Sequence, residues 1–387
     1  MTPSPWGPRA FATAAVAAVQ LFNALLWTAY VVHLPAMIRH TGLGAEILPY
    51  LLVADQLVFA VMDPLCGAGA QQIGRLWRFA GPILVGVVLI ATGSLLALPV
   101  VAKVGPELFV ALLLLWAVTA SVLRAPVMAL LHQHVPPGAF PGAAGGSLVG
   151  LGVAGALSPY LTVVLRAFDP LVPFVAASAA LIVAALALAV AERRRGPPTP
   201  APPTEGAWLR LAVLAAGVAS LTLAFQLHSA VRAAALWSAQ IGSDNLPFAI
   251  PTFWVAFSLG IAPLGLASRR WPLVVTCAGG LLFTVGAGLS AVPHVAALAL
   301  GQLVAGLGWS GVFGGGLSAV IALTSSRWTG LGIGAFFCIG SFGTAIRMSL
   351  NALGLFTWLG AATDLLVVVL ACIGAVIAGL AGLGRRG

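Results

Sequence analysis

Six ionisable side chains interrupt the long apolar stretches of this 387-residue chain: Asp55, Asp63, Arg124, Arg232, Arg347 and Asp364. Inside a bilayer a charge at a helix centre costs roughly 2.5–3.5 kcal/mol on insertion scales, so each such group needs a counter-charge, an aqueous cavity or a task. Asp55 and Asp63 lie eight residues apart in one stretch. On a helix that spacing is only about 80° out of alignment, so both can border one cavity with Phe59 between them. Counting about 1.5 Å per residue from the outer end of each stretch puts Asp63 about 24 Å deep and Arg124 about 26 Å deep. An acid and a base at one level can neutralise each other, and such a carboxylate can exchange its partner for a proton or a cation. Asp63, Arg124 and Asp55 are therefore candidate coupling residues, the alternative being that Asp63 and Arg124 form a permanent salt bridge. Pro64 follows Asp63 and leaves the Ala60 carbonyl without its helical donor, a local break of the kind that lines ion and substrate sites.

Neutral polar groups add candidates for solute contact. Gln20, Asn23, Trp27 and Tyr30 recur every three or four residues, which gives the first stretch one polar and aromatic face. Gln226 and His228 stand at the corresponding place in the seventh stretch, and Phe59 and Arg347 complete the candidate cavity set. Interhelical hydrogen bonds worth roughly 0.6–2 kcal/mol are the alternative use for the neutral groups. Arg347 and Asp364 reach similar depths, about 26 Å up one stretch and about 10 Å down the next, so they are expected to pair. Arg232, near a helix end, is expected to snorkel to the interface. His132 and His134 read as a solvated loop end, because two histidines without carboxylates are a weak metal signal.

The elements that hold these groups follow from composition. Hydrophobic residues make up 60% of the chain and charged residues 7%, against roughly 25% charged in a soluble domain. A bilayer crossing takes roughly 20 apolar residues. Apolar runs fall at 10–34, 47–69, 79–102, 107–131, 142–166 and 170–191, then at 208–235, 246–267, 271–291, 295–323, 330–354 and 357–382. The first of these is too long for a cleaved signal segment and reads as a permanent helix. Between the two sets lies a charged, Pro-rich stretch from Glu192 to Thr204, which cannot cross a bilayer and reads as a semi-rigid linker. The expected organisation is all-α, with a six-helix bundle over 1–192, a linker over 193–207 and a second six-helix bundle over 208–387. With the N-terminus inside, twelve Lys and Arg residues fall on the cytoplasmic side, Arg9, Arg75 and the Arg193–Arg195 run among them, and three (Arg39, Lys103, Arg166) on the other. Cytoplasmic loops carry the positive excess. Both termini and the linker are therefore expected in the cytoplasm, and the chain in the cytoplasmic (inner) membrane.

The segment Gly67-Ala68-Gly69-Ala70-Gln71-Gln72-Ile73-Gly74-Arg75 resembles the loop signature of the major facilitator superfamily. Gly67, Gly74 and Arg75 match it in register, and Gln71 and Gln72 stand where it has an Asp and a basic residue. The resemblance implies that Gly67, Gly74 and Arg75 form part of a conformational latch. A weaker echo occurs at Gly265-Leu266-Ala267-Ser268-Arg269-Arg270. With the six-plus-six layout the resemblance covers nearly the whole chain, and it implies two pseudo-symmetric bundles of six helices. Asp63-Pro64-Leu65-Cys66-Gly67 looks like a stretch of the melibiose-type sugar:cation symporters, although Phe59 stands where those have a second acid. Arg124 resembles the embedded Arg of proton-coupled efflux families, and Gly146, Gly150, Gly155 and Pro159 resemble their antiporter motif without its final Gly-Pro pair.

Nucleic-acid binding is not expected, because the positive residues sit at loop junctions and form no single patch. No HExxH, GxSxG or GxxxxGK[ST] run occurs, so neither enzyme activity nor ATP-driven transport is expected. The four cysteines lie in apolar runs without metal-ligand spacing, and no cofactor or metal is expected. The sequence thus leads to a monomeric secondary transporter that moves a small organic solute by alternating access. Proton coupling is favoured, with efflux ahead of import. The alternatives are a cation:solute symporter and a transporter-like protein serving cofactor delivery or assembly. A cavity of Trp, Phe, Gln and Asn with few charges suits neutral or amphipathic solutes.

Overall fold

In the computed structural model, residues 8–73, 77–195, 206–360 and 362–383 are described. Among them are twelve helices long and apolar enough to cross a membrane: α1 (Arg9–Thr41), α2 (Ala45–Ile73), α3 (Phe79–Val101), α4 (Pro106–His134), α5 (Phe140–Ala167), α6 (Leu171–Arg194), α7 (Trp208–Ile241), α8 (Ser243–Ala267), α9 (Pro272–Ser290), α10 (Val295–Leu323), α11 (Thr329–Ala352) and α12 (Ala362–Leu380). The chain is a multi-pass membrane protein. All twelve expected runs form helices. Several run past the hydropathy boundaries, because a helix persists beyond the bilayer core wherever packing continues: α1 passes Pro35 to reach Thr41, and α7 continues to Ile241.

The two sets of six pack by one plan. In the first set α1 lies against α5 and α6, α3 against α4 and α6, and α2 against α4. In the second, α7 lies against α11 and α12, α9 against α10 and α12, and α8 against α10. Adding six to each number maps one list onto the other. The contacts between the sets obey the same operation: α2 packs on α11, and α5 packs on α8. The helices are therefore two pseudo-symmetric bundles facing each other.

Helix α2 shows how sequence sorts its faces. Leu57, Val61 and Leu65, four residues apart, are 45%, 60% and 60% exposed, whereas Asp55, Phe59 and Asp63 are buried. Apolar side chains take the outer face because lipid is as apolar as they are, and the ionisable ones turn inward.

The bundles meet closely on the side where α1 begins and α12 ends, called here the chain-end side. A Cβ on Gly67 would overlap the Gly330 carbonyl of α11, so the α2–α11 crossing depends on glycine there. At the α5–α8 crossing, Gly145 and Gly265 meet in the same way: a Cβ on Gly265 would lie 3.1 Å from the Gly145 Cα. Small residues allow backbones this close. The expected linker falls largely outside the described residues. Of its ends, Arg193–Arg195 continue the sixth helix, and Gly206 and Ala207 precede the seventh.

Candidate functional site

A cavity of about 650 Å³ lies between the bundles. Its wall runs from mid-membrane, at Gln20, Arg124, Val218 and Phe336, toward the side away from the chain ends, at Pro35 and Arg166. The glycine crossings close the other side. Both bundles contribute polar groups set among aromatic rings. Phe225 and Trp309 stack at 4.2 Å, 4° from parallel.

The floor of the cavity is built by three helices. In α4 the regular helix stops at Ser121 and restarts at Ala125. Pro126 has no N–H to offer the Val122 carbonyl, which accounts for the interruption. Arg124 sits in that break with φ −107° and ψ −92°. Its guanidinium lies over Phe59 at 5.0 Å and over Phe337 at 5.8 Å, within cation–π range. One terminal nitrogen donates to the Ser341 hydroxyl at 2.8 Å, and the other is 3.6 Å from Asp63 Oδ2. Ser341 donates in turn to Asp63 Oδ2 at a long 3.4 Å. Asp63 is fully buried, and its Oδ1 has no hydrogen-bond partner among the described residues. Because α2 and α4 belong to one bundle and α11 to the other, this Asp63–Arg124–Ser341 cluster links the two.

Helix α2 runs through Pro64 from Leu48 to Ile73, so the proline, which has no N–H to offer the Ala60 carbonyl, does not end the helix. The interruption lies in α4, beside Arg124.

Asn23, Trp27, Phe59, Gln226 and Arg347 line the cavity. Gln226 donates to Thr344 at 2.8 Å and accepts from Arg347 Nε at 3.1 Å. Three expected residues do not face it. Tyr30 is buried in its own bundle, where its hydroxyl donates to Asp55 Oδ2 at 2.8 Å and its ring meets Trp116 at 4.4 Å. Asp55 is thereby drawn into the bundle interior, about 80° of helix rotation from Asp63. His228 turns into the second bundle, 3.2 Å from Gln302 and edge-on to Phe283. It stands two residues from Gln226, about 200° around the helix, so it points away from the face that Gln226, Ser229 and Ala230 present to the cavity. A π-helical turn begins there, at His228–Arg232.

The same turn corrects two further expectations. Arg232 does not snorkel: it grips Asp364 with two hydrogen bonds of 2.6 Å. Arg347 therefore does not pair with Asp364 and remains at the cavity wall. At the chain-end side, the expected solvated histidines are packed. His132 lies edge-on to Phe140, and His134 Nε2 is 3.2 Å from the buried Glu192.

Gly74 and Arg75 lie outside the described residues, and Gly67 forms the α2–α11 crossing described above. Sequence reasoning missed Gln71. Its amide donates to the Ser326 carbonyl at 2.6 Å, and its carbonyl accepts from the Gly330 N–H at 2.7 Å. Both partners belong to the opposite bundle, at the start of α11. The signal was present in the sequence, since an amide has both a donor and an acceptor where the loop signature has an acid.

The fold is one shared with solved structures of transporters. The human organic anion transporter MFSD10 (TETRAN) is similar over 97% of this chain and 100% of its own, with a TM-score of 0.71 and 15% identity. A bacterial homologue of the iron transporter ferroportin, in its outward-facing state with soaked iron, is similar over 96% of this chain and 99% of its own, with a TM-score of 0.73 and 13% identity. At these identities the likeness is one of fold. By sequence, no family model and no curated protein matches the chain.

Proposed function

We propose that the chain is a secondary active transporter that moves a small organic solute across the cytoplasmic membrane by alternating access, with a proton as the coupling ion. The observation that carries this reading is the Asp63–Arg124–Ser341 cluster, which lies at the cavity floor and joins the two bundles. A proton on Asp63 cancels its attraction for Arg124 and frees the guanidinium toward the cavity. Loss of the proton restores the pair. Because Ser341 is on α11, the exchange acts on the seam that must open for the cavity to face the other side.

In this reading both termini and the 193–207 linker between the bundles are cytoplasmic, which the twelve-to-three distribution of loop Lys and Arg supports. The cavity then faces outward. Gly67, Gly74 and Arg75, with Gln71, form the cytoplasmic latch. The working unit is a monomer, because one chain supplies both bundles and the cavity between them. A proton suits the site better than sodium, which wants several oxygen ligands. Among the described residues no group of three or more His, Cys, Asp or Glu could hold a metal ion.

The test is counterflow and gradient-driven flux in proteoliposomes with an imposed pH difference. Asp63→Asn should abolish the response to the gradient while solute exchange between equal pools continues. Gradient-driven flux at the wild-type rate in Asp63→Asn would refute Asp63 as the coupling residue.

A further inference from the structure

The charge on the cavity wall is of one sign. Arg124, Arg166 and Arg347 line it, and among the described residues no Asp, Glu or Lys does. Arg124 is balanced by Asp63 behind it at 3.6 Å. Arg347 is not balanced. Its Nε is held by the Gln226 carbonyl at 3.1 Å, and its two terminal nitrogens have no protein partner among the described residues. The one acid within reach by depth, Asp364, is taken by Arg232 through both carboxylate oxygens. A guanidinium oriented by one bond, with its planar fork unused, matches a planar acid group that accepts two parallel hydrogen bonds. The Asn23 amide, also on the wall, likewise has no protein partner among the described residues.

The rest of the wall is apolar and aromatic, with Trp27, Phe225, Trp254, Trp309, Phe336 and Phe337 prominent. Such a surface favours a ligand with a large apolar body, and 650 Å³ is the size of a small-molecule site. A small inorganic anion would leave the aromatic walls wet, and an organic cation would meet three guanidinium groups.

We propose that the solute is an organic anion, with a carboxylate or sulfonate held at Arg347 and an aromatic or otherwise apolar body among the rings. This deepens the transport reading and rests on it, because it assigns the ligand class of the same cavity.

The probe is a matched series in which only the charge changes: 2-naphthoate, 2-naphthamide and 2-naphthylmethylammonium. The full chain is placed in phosphatidylcholine nanodiscs, so that no anionic lipid competes, and tryptophan quenching is read. Naphthoate should bind at least roughly tenfold more tightly than the amide, the ordinary scale for one charge pair in a partly dry site, and the ammonium should bind weakest. Arg347→Gln should bring naphthoate to within about threefold of the amide, and Arg347→Lys should keep part of the preference. Retained amide binding reports that each variant is folded.

Equal or tighter binding of the amide or ammonium by the wild type, a full tenfold preference in Arg347→Gln, or no binding by any of the three would overturn the proposal. Liposome counterflow separates the two readings. Naphthoate that binds through Arg347 but is never carried sinks transport and leaves the anion site standing. Carriage of the ammonium in preference to naphthoate does the reverse.

Discussion

Replacing Gln71 by alanine removes two hydrogen bonds that tie α2 to the start of α11, at 2.6 and 2.7 Å. Both are partly buried, and each is worth about 0.5–1.5 kcal/mol net, so together they contribute about 1–3 kcal/mol to the state in which the chain-end side is closed. If the open state makes neither bond, Gln71→Ala moves the closed-to-open ratio about 5- to 150-fold toward open. Gln72 and Arg327 flank the seam from opposite bundles and are exposed. Spin labels at these two positions, in a background with the four native cysteines replaced, report the seam by pulsed electron paramagnetic resonance. The variant should gain a population at longer distance. Gln71→Glu discriminates further. Its carboxylate still accepts from the Gly330 N–H, at a helix start where negative charge is favoured, but it cannot donate to the Ser326 carbonyl. It should therefore fall between wild type and alanine, and acidification should restore the closed population, because a protonated carboxyl regains the donor. Identical distance distributions in all three proteins, with Gly67→Ala shifting the same label pair, would show that these bonds do not set the equilibrium.

Two further outcomes follow from buried pairs. Tyr30→Phe removes the 2.8 Å bond to the fully buried Asp55, which should lower stability by about 1–3 kcal/mol in thermal melting. Asp55→Asn, whose amide carbonyl still accepts from Tyr30, should cost less; the opposite order would remove Tyr30 as the group that holds Asp55. A double-mutant cycle on Arg232→Ala and Asp364→Asn should give a coupling of about 1–3 kcal/mol, while Arg347→Ala with Asp364→Asn should couple by less than about 0.5 kcal/mol. A larger coupling for the second pair would return Asp364 to Arg347.

Depth was legible in the sequence, and azimuth was not. Counting residues from the helix ends placed Asp63 level with Arg124, and the two lie 3.6 Å apart. The same count placed Arg347 level with Asp364, yet Arg232 holds that acid. Helix rise fixes height in the bilayer, but which side chain faces which depends on rotation, and rotation in α7 is reset by the π turn at His228–Arg232. No local residue pattern announces that turn. His228 was misplaced for a simpler reason, since it lies about 200° of helix rotation from Gln226, which does line the cavity. Gln71 was read as a departure from a charged motif because the motif was matched by residue type. Matched by donors and acceptors, its amide meets both needs of the α11 start.

The sign of the cavity follows from these pairings and from nothing visible in composition. The twelve helices carry three embedded arginines, Arg124, Arg232 and Arg347, and three embedded aspartates, Asp55, Asp63 and Asp364. Summed along the chain they cancel, and a cavity of Trp, Phe, Gln and Asn with few charges suggested a neutral or amphipathic solute. The fold does not let them cancel in space. Asp63 is held by Arg124 and Asp364 by Arg232, while Asp55 turns to the Tyr30 hydroxyl inside its own bundle. That leaves Arg347 as the embedded cation without a counter-charge among the described residues, and it stands on the cavity wall with Arg166 farther along. A membrane protein that could have paired every embedded charge has kept a guanidinium beside the cavity and an acid away from it. The cavity spares that guanidinium full desolvation, and an anion entering from outside the protein would supply the counter-charge that the fold withholds.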